Sequence, residues 1–208
     1  MIAVSLFDYT GAMLRPWADA GYECYAYDIQ HTECFELDGI NYRPADLTTW
    51  VKGDLPRADV AFAFPPCDHL AVSGARWFKG KGLRALSHSI ALFATAAEYC
   101  EWTRAPYMIE NPVSTIATYW REPDYYFHPW EYTEFCLEDN YTKRTCLWTG
   151  NDFVMPDPAI AESLRDVKPD NRIHAAPPGP GRANFRSATP RGFAQAVFNA
   201  NKETKSNV

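Results

Sequence analysis

The stretch IAVSLFDYTG, residues 2 to 11, decides the fold class because it is an apolar run that stops abruptly at a polar turn. Residues 12 to 20 then carry apolar side chains at helical spacing, and Gly21 is a typical helix stop. A second apolar run, residues 22 to 27, closes on Asp28. Strand, helix and strand in this order predict that a βαβ unit opens the chain.

The alternation continues along the chain. The sequence predicts strands at 58–64, 107–109 and 145–149, and a helix from 83 to about 102. Near the end, Thr189 is predicted to cap, and Pro190 to open, a helix with an apolar face formed by Phe193, Ala194, Val197 and Phe198. Strands alternating with helices predict an α/β protein whose mostly parallel sheet is covered by helices on both faces.

The length of 208 residues predicts one domain, residues 1 to 201, followed by a polar tail at 202 to 208. Residues 151 to 186 contain six prolines and few long apolar runs, so they are predicted to be largely irregular.

The composition excludes several classes of protein. A net charge of -6 argues against holding duplex DNA by the overall field of the molecule, so any nucleic-acid contact must be local. The six cysteines form no CxxC pair, which predicts reduced thiols and no metal site. There is no leader pattern, and no run approaches the ~18 apolar residues of a membrane span. We therefore expect a cytoplasmic protein with neither membrane nor metal contact.

Four polar features follow the predicted strands, where ligands of parallel sheets bind. Asp28 is suited to accept hydrogen bonds from the hydroxyls of a nucleotide ribose, although a strand-terminating turn explains it equally well. Asp46 could accept from an adenine amino group, but alone it is more typical of a helix cap. The other two features are Pro65-Pro66-Cys67 and Glu110-Asn111.

Cys67 is either a nucleophile held on a rigid proline stalk or a buried cysteine at a strand end. Basic residues that follow it are expected to favour its thiolate: Arg76, Lys79, Lys81 and Arg84. Glu110, after an apolar strand, is either a donor to a ring nitrogen or a capping carboxylate. His69 invites a Cys-His hydrolase interpretation, but sequence neighbours rarely point at one another.

Taken in order, these features resemble the cytosine-5 DNA methyltransferases. The stretch SLFDYTGA resembles their cofactor turn, and Asp28 and Asp46-Leu47 resemble their ribose and adenine contacts. PPC at 65–67 resembles their catalytic loop, Glu110-Asn111 their Glu-Asn-Val motif, and YTKRTCLW at 141–148 their glutamine-and-arginine motif. The similarity spans nearly the whole chain.

The resemblance implies a Rossmann-like fold, S-adenosylmethionine as methyl donor, and a DNA cytosine flipped into the crevice. It implies that Cys67 attacks carbon 6, that Glu110 engages the ring nitrogen and exocyclic amine, and that Arg144 holds the target nucleotide. The implied cofactor-binding residues are Phe7, Tyr9, Thr10, Gly11, Ala12, Met13, Asp28, Ile29, Asp46, Leu47 and Pro65. The implied substrate-binding residues are Pro66, Ser73, Arg76 and Asn111.

Three departures from the family pattern qualify these expectations. Tyr9 and Ala12 replace glycines of the cofactor turn, and Cys146 replaces a second arginine. Only about 36 residues separate Gly150 from Ser187, where the family places a target-recognition domain. The sequence therefore leaves open a very short recognition site, a separate recognition partner protein, a free cytidine nucleotide or RNA as substrate, and a catalytically silent protein that binds S-adenosylmethionine.

Overall fold

The structure is a computed structural model that describes residues 1 to 202, except the side chain of Ser73. Within that part, one eight-stranded sheet forms the body of the molecule. Its strands are β1 (Ile2–Leu6), β2 (Glu23–Asp28), β3 (Phe35–Leu37), β4 (Ile40–Pro44), β5 (Val60–Ala63), β6 (Tyr107–Pro112), β7 (Tyr125–Phe127) and β8 (Thr145–Gly150). The helices are α1 (Arg15–Asp19), α2 (Phe78–Lys81), α3 (Leu83–Thr103), α4 (Ile116–Tyr119), α5 (Arg172–Ala175), α6 (Arg182–Ser187) and α7 (Arg191–Asn201).

The strands lie in the order β3-β4-β2-β1-β5-β6-β8-β7. The five central strands, β4 to β6, are parallel, whereas β3 and β8 run antiparallel to their neighbours. From β1 the chain moves outward through β2 and β4, and it then returns to place β5 on the other side of β1. The strand order therefore reverses between β1 and β5, and ligand crevices form at such a reversal.

Helices cover both faces of the sheet, as the alternation predicted. Helices α1 and α7 pack on one face, where Trp17, Phe62 and Phe193 are fully buried. Helix α3 packs on the other face, with Phe93 and Trp148 in its core. Because successive side chains of a strand point to opposite faces, each strand serves both cores, and the predicted α/β class is confirmed.

The β3–β4 hairpin is absent from the sequence prediction. Strand β3 is exposed along its length, so it lacks the buried apolar pattern that marks the other strands. Asp38 and Gly39, the two loop residues, both have positive φ angles of 52° and 76°. An Asp-Gly pair is the preferred loop of a two-residue hairpin, and this signal could have revealed both strands.

The start of the closing helix differs from the prediction by one residue. Pro190 occupies the N-cap position with ψ 131°, so the helix begins at Arg191 and Thr189 lies outside it. The carboxylate of Asp139 accepts a hydrogen bond of 2.7 Å from the Gly192 amide in the first turn. A distant residue thus supplies the contact expected from Thr189, while Phe193, Ala194 and Val197 are buried as predicted.

Candidate active site at the switch point of the sheet

The predicted site residues gather beyond the carboxyl edge of the sheet. The parallel strands β1, β2, β4, β5 and β6 all end at this edge, and the antiparallel strand β8 begins there, since Thr145 pairs with Pro112. The turn after β1 and the Pro65-Pro66-Cys67 loop after β5 therefore face each other across the switch point.

The turn after β1 is organised around the buried carboxylate of Asp8. Its Oδ2 accepts from the Ser5 hydroxyl at 2.7 Å, and its Oδ1 accepts from the amides of Thr10 at 3.1 Å and Gly11 at 2.8 Å. The Thr10 hydroxyl also donates to Oδ1. Burial raises the pKa of Asp8, and these hydrogen bonds oppose that shift. Asp8 thus fixes the conformation of this turn.

Gly11 is the one turn position where a side chain cannot be accommodated. Its φ of +64° lies in the left-handed region, and a Cβ there would lie 2.5 Å from the Tyr42 hydroxyl. That hydroxyl donates to the Thr10 carbonyl at 3.1 Å, so it is held in place. The amides of Thr10, Gly11 and Ala12 all donate within the turn. A ligand carboxylate must therefore find other donors.

The other residues of the predicted cofactor turn occupy three environments. Phe7, with φ 57°, packs partly against the core on the α3 face. The Met13 side chain is fully buried on the α1 face, so only its backbone could meet a ligand. Tyr9 is 44% exposed, and its ring stacks on that of His31 with centroids 5.2 Å apart.

A cavity of about 300 Å³ opens beside Tyr9 and Thr10. Its walls also include Gln30, His31, Phe35 and Tyr42, and the last two rings stack with centroids 4.6 Å apart. The Nε2 atom of His31 is buried and has no hydrogen-bond partner within residues 1 to 202. Two of the predicted cofactor residues thus line a cavity whose wall carries a buried, unpartnered polar atom.

Asp28 and Asp46 both take part in local turns. The Oδ1 atom of Asp28, which is buried, accepts from the Gln30 amide at 2.8 Å; no hydrogen bond to its Oδ2 is found among the described residues. Asp46 is exposed and caps a short 3-10 helix, Leu47–Thr49, through the Thr48 hydroxyl and amide, which lower its pKa. Leu47 is buried against the α3 face, and Ile29 is exposed.

The loop that carries Cys67 is tied to the end of β6. The buried Asn111 amide donates from Nδ2 to the Pro65 carbonyl at 2.9 Å. Two backbone hydrogen bonds, Val72 to Val113 and Thr115 to Leu70, continue this contact. Pro65 is itself buried and Pro66 is exposed. The structure thus places Asn111 behind the loop, where it positions Cys67.

The Cys67 thiol is partly buried, and desolvation raises its pKa to about 11. The negative charges of Asp68 and Glu110 add to this rise, and the positive charge of Lys143 opposes it. The sequence predicted the opposite, a thiolate favoured by the basic residues after Cys67. That expectation is wrong because burial raises the pKa, and Lys143 is the only cation among the groups that shift it. Of the basic residues after Cys67, Lys81 instead donates to the Asp68 carbonyl at 2.8 Å.

Glu110 forms an ion pair with Lys143, with 3.4 Å between Oε1 and Nζ. Both side chains are largely buried, at 12% and 11% exposure. The charges of both act on the Cys67 thiol, so the three groups form one electrostatic unit. Sequence analysis missed Lys143, which lies in the segment that leads into β8, two residues before the first residue of β8 that pairs with β6.

Arg144, the predicted target-binding residue, points elsewhere. Its guanidinium lies 4.7 Å from the centroid of the exposed Tyr126 ring. Tyr126 pairs with Cys146, whose side chain belongs to the α3 face, whereas Glu110 alternates with Ile109 and so faces the other way. The structure therefore groups Lys143, rather than Arg144, with Cys67 and Glu110.

Arg76 is exposed and lies 5.0 Å from the Trp77 ring centroid. The side chain of Ser73 lies outside the part of the chain that the structure describes. The His69 ring shares a hydrogen bond of 3.0 Å with Ser89 on α3, so it is committed to that helix.

Neither a protein-family model nor a curated protein matches this sequence. Within residues 1 to 202, no helix is long and apolar enough to cross a membrane. In the same residues, no three His, Cys, Asp or Glu side chains gather as metal ligands. The assignment of function rests on the site itself.

Proposed function

We propose that the protein is a cytosine-5 methyltransferase of Rossmann-like fold, acting on cytosine in DNA through a covalent bond to Cys67. The observation that carries this proposal is the convergence of Cys67, Glu110 and Lys143 at the switch point, opposite the turn after β1. A thiol, a carboxyl group and a cation are the groups needed to add a nucleophile to carbon 6 of a pyrimidine and to stabilise the resulting charge.

The residues around the turn after β1 fit the adenosine part of S-adenosylmethionine. Asp28 retains Oδ2 for ribose hydroxyls, Ile29 is exposed beside it, and Asp46 lies after the next strand. The cavity beside Tyr9 and Thr10 carries the unpartnered Nε2 of His31, a polar atom suited to contact a ligand. When bound, this cofactor supplies the methyl group. Its amino-acid end needs donors other than the amides of Thr10 to Ala12, which are already used.

The reacting base is activated by this chain's own residues. The proton of the Cys67 thiol passes through Glu110 to the ring nitrogen, the resulting thiolate forms a bond to carbon 6, and the electrons of the 5,6 double bond move to carbon 5. Glu110 shares that proton with the ring nitrogen and accepts from the exocyclic amine, while Lys143 balances the negative charge. After carbon 5 has gained the methyl group, it loses its proton to solvent water, the electrons of that C–H bond form the 5,6 double bond again, and Cys67 leaves as thiolate and regains its proton from the ring nitrogen.

The raised pKa of Cys67 fits this sequence of events. In the resting site the thiol is protonated, and the carboxylate of Glu110 helps to keep it so. When Glu110 holds a proton against the base, its negative charge disappears while that of Lys143 remains. Loss of the Glu110 charge lowers the pKa of the thiol, whereas burial, the largest cause of the rise, remains, so a bound base favours formation of the thiolate.

The test is methyl transfer from isotopically labelled S-adenosylmethionine to DNA, RNA and free dCMP, followed by mass spectrometry of the nucleosides. We expect label in 5-methylcytosine, complete loss of transfer in Cys67→Ala, and unchanged transfer in Cys34→Ala, since Cys34 is an exposed thiol outside the site. Tight binding of the donor without transfer to any substrate would refute the proposal, and so would full activity of Cys67→Ala.

A further inference from the structure

Charge is strongly segregated along this acidic chain. No Asp or Glu occurs between Asp68 and Glu98, or between Asp170 and Glu203, although the chain has 26 acidic residues. These two acid-free segments nevertheless carry cations: Arg76, Lys79, Lys81 and Arg84 in the first, and Arg172, Arg182, Arg186, Arg191 and Lys202 in the second. Net charge therefore hides two locally basic stretches.

Both acid-free segments border the crevice of Cys67. The first continues directly from Cys67 through the 3-10 helix Val72–Trp77 and α2, and it is bound to residues 113 to 115 after β6. The second passes from the start of β8, where Thr142 donates to the Asp170 carbonyl, to the end of β2, where Asn184 donates to Gln30. The first stretch thus adjoins the ends of β5 and β6, and the second extends from the segment before β8 to the end of β2.

An aromatic ring stands exposed beside a cation in the first segment. Trp77 is 60% exposed, and the Arg76 guanidinium lies 5.0 Å from its ring centroid. Exposed rings combined with a basic groove are the features that bind unpaired bases, because every base has a face that can stack. A paired base in a duplex offers no such face.

The region between β8 and α7 is too short to form a separate target-recognition domain. It contains the 3-10 helix Glu162–Leu164 and the short helices α5 and α6, and Arg172 forms an ion pair with Asp170. Duplex DNA has twice the phosphate density of a single strand, and holding it by charge requires many cations. A chain of net charge -6 with two narrow basic borders suits the weaker field of a single strand.

We propose that the substrate is a single-stranded polynucleotide, held between the two acid-free segments with a base stacked on Trp77. This inference rests on the proposed function, and it identifies the form in which the target cytosine is presented. An unpaired cytosine reaches Cys67 without the cost of breaking its base pair, which the missing recognition lobe would otherwise have to offset.

The test compares oligonucleotides of about 20 nucleotides as single-stranded DNA, single-stranded RNA and duplex DNA of one sequence. Binding is measured by fluorescence anisotropy and transfer by labelled donor. We expect tighter binding and at least tenfold faster transfer with a single strand, and the DNA and RNA arms show which sugar is accepted. Transfer to the duplex at an equal or higher rate overturns this inference alone. Absence of transfer to every form refutes the proposed function instead.

Two exposed residues of the first segment provide the variants. Trp77→Ala should weaken single-strand binding about tenfold and raise KM, with kcat nearly unchanged, because base stacking on a ring is lost. Lys79→Gln should reduce the slope of log Kd against log salt by about 0.7. The matched controls are Phe135→Ala, an exposed ring, and Lys52→Gln, both outside the acid-free segments. If either Trp77→Ala or Lys79→Gln behaves like its control, the segment does not hold the strand.

Discussion

The two sides of the crevice are built on different physical terms. One side, called the donor side below, is the turn after β1, which is proposed to hold the methyl donor. The polar groups of this turn bind one another, and four hydrogen bonds converge on the Asp8 carboxylate. On the side proposed to hold the target base, called the target side below, Glu110 and Lys143 form an ion pair of 3.4 Å whose charges act on Cys67, and burial raises the pKa of the thiol. The polar groups of the donor side therefore fix the conformation of the turn, whereas those of the target side set the charge around the Cys67 thiol. Substitutions should therefore affect mainly stability on the first side and mainly rate on the second.

The largest expected effect is the loss of activity in Lys143→Gln. Under the proposed function this substitution removes a charge that balances the activated base, so it should lower kcat/KM about 100-fold or more. Arg144→Gln should cost less than about fivefold, because this guanidinium lies over Tyr126 on the opposite face. Steady-state methyl transfer with both variants measures the difference.

Lys143→Arg is the control for this experiment, since it keeps the positive charge and should recover part of the lost rate. Thermal unfolding of all three variants checks that each is folded. If Arg144→Gln shows the greater loss, the target-binding cation is the residue that the family resemblance implied, and the assignment of Lys143 fails.

On the donor side, the expected effect is on stability. Gly11→Ala should lower the free energy of unfolding by about 3 kcal/mol, since it combines a strained φ with a Cβ placed 2.5 Å from the Tyr42 hydroxyl. Gly21→Ala should cost only about 1 kcal/mol, because Gly21 has φ +81° but no atom within 4 Å of the added Cβ. Urea denaturation of both variants gives the two values.

The double variant Gly11→Ala, Tyr42→Phe sharpens this comparison. Removal of the hydroxyl relieves the closest contact, so the second substitution should cost less in the Gly11→Ala background than in the wild type. If Gly11→Ala and Gly21→Ala destabilise the protein equally, the turn after β1 and Tyr42 can move to accommodate the added Cβ. The donor side would then be less rigid than its hydrogen bonds indicate.

Local patterns were sufficient to predict most of the fold. The βαβ opening and the buried face of α7 follow from the spacing of apolar residues over one or two turns or a single strand. The alternative interpretation of Asp46 as a helix cap is confirmed, and it was within reach of the sequence because the partner Thr48 is two residues away. The contact of Asp46 with an adenine stays a prediction. The β3–β4 hairpin escaped detection since β3 is exposed, although Asp38-Gly39 marks its loop.

Contacts between distant segments account for what the sequence did not reveal. Lys143 meets Glu110 only where the segment before β8 packs beside β6, and Asp139 binds the first turn of α7 from 53 positions away. The charge state of Cys67 was mispredicted for a related reason. Basic neighbours are visible in the sequence, whereas the desolvation that raises the pKa of the thiol depends on packing.

The subtlest prediction concerns the reactivity of the Cys67 thiol towards a small alkylating agent, followed by peptide mass spectrometry. Since only the thiolate reacts, the rate should rise about tenfold per pH unit from about pH 7 towards the pKa of about 11.

The negative charge of Glu110 raises that pKa and the positive charge of Lys143 lowers it, so at a fixed pH Glu110→Gln should speed alkylation a few-fold and Lys143→Gln should slow it. In the Glu110→Gln variant the Cys67 thiol would then react faster with the alkylating agent, although the variant would have lost methyl transfer. The exposed Cys34 is the internal control. If the two substitutions change the alkylation rates of Cys34 and Cys67 equally, then the charges of Glu110 and Lys143 do not act specifically on Cys67.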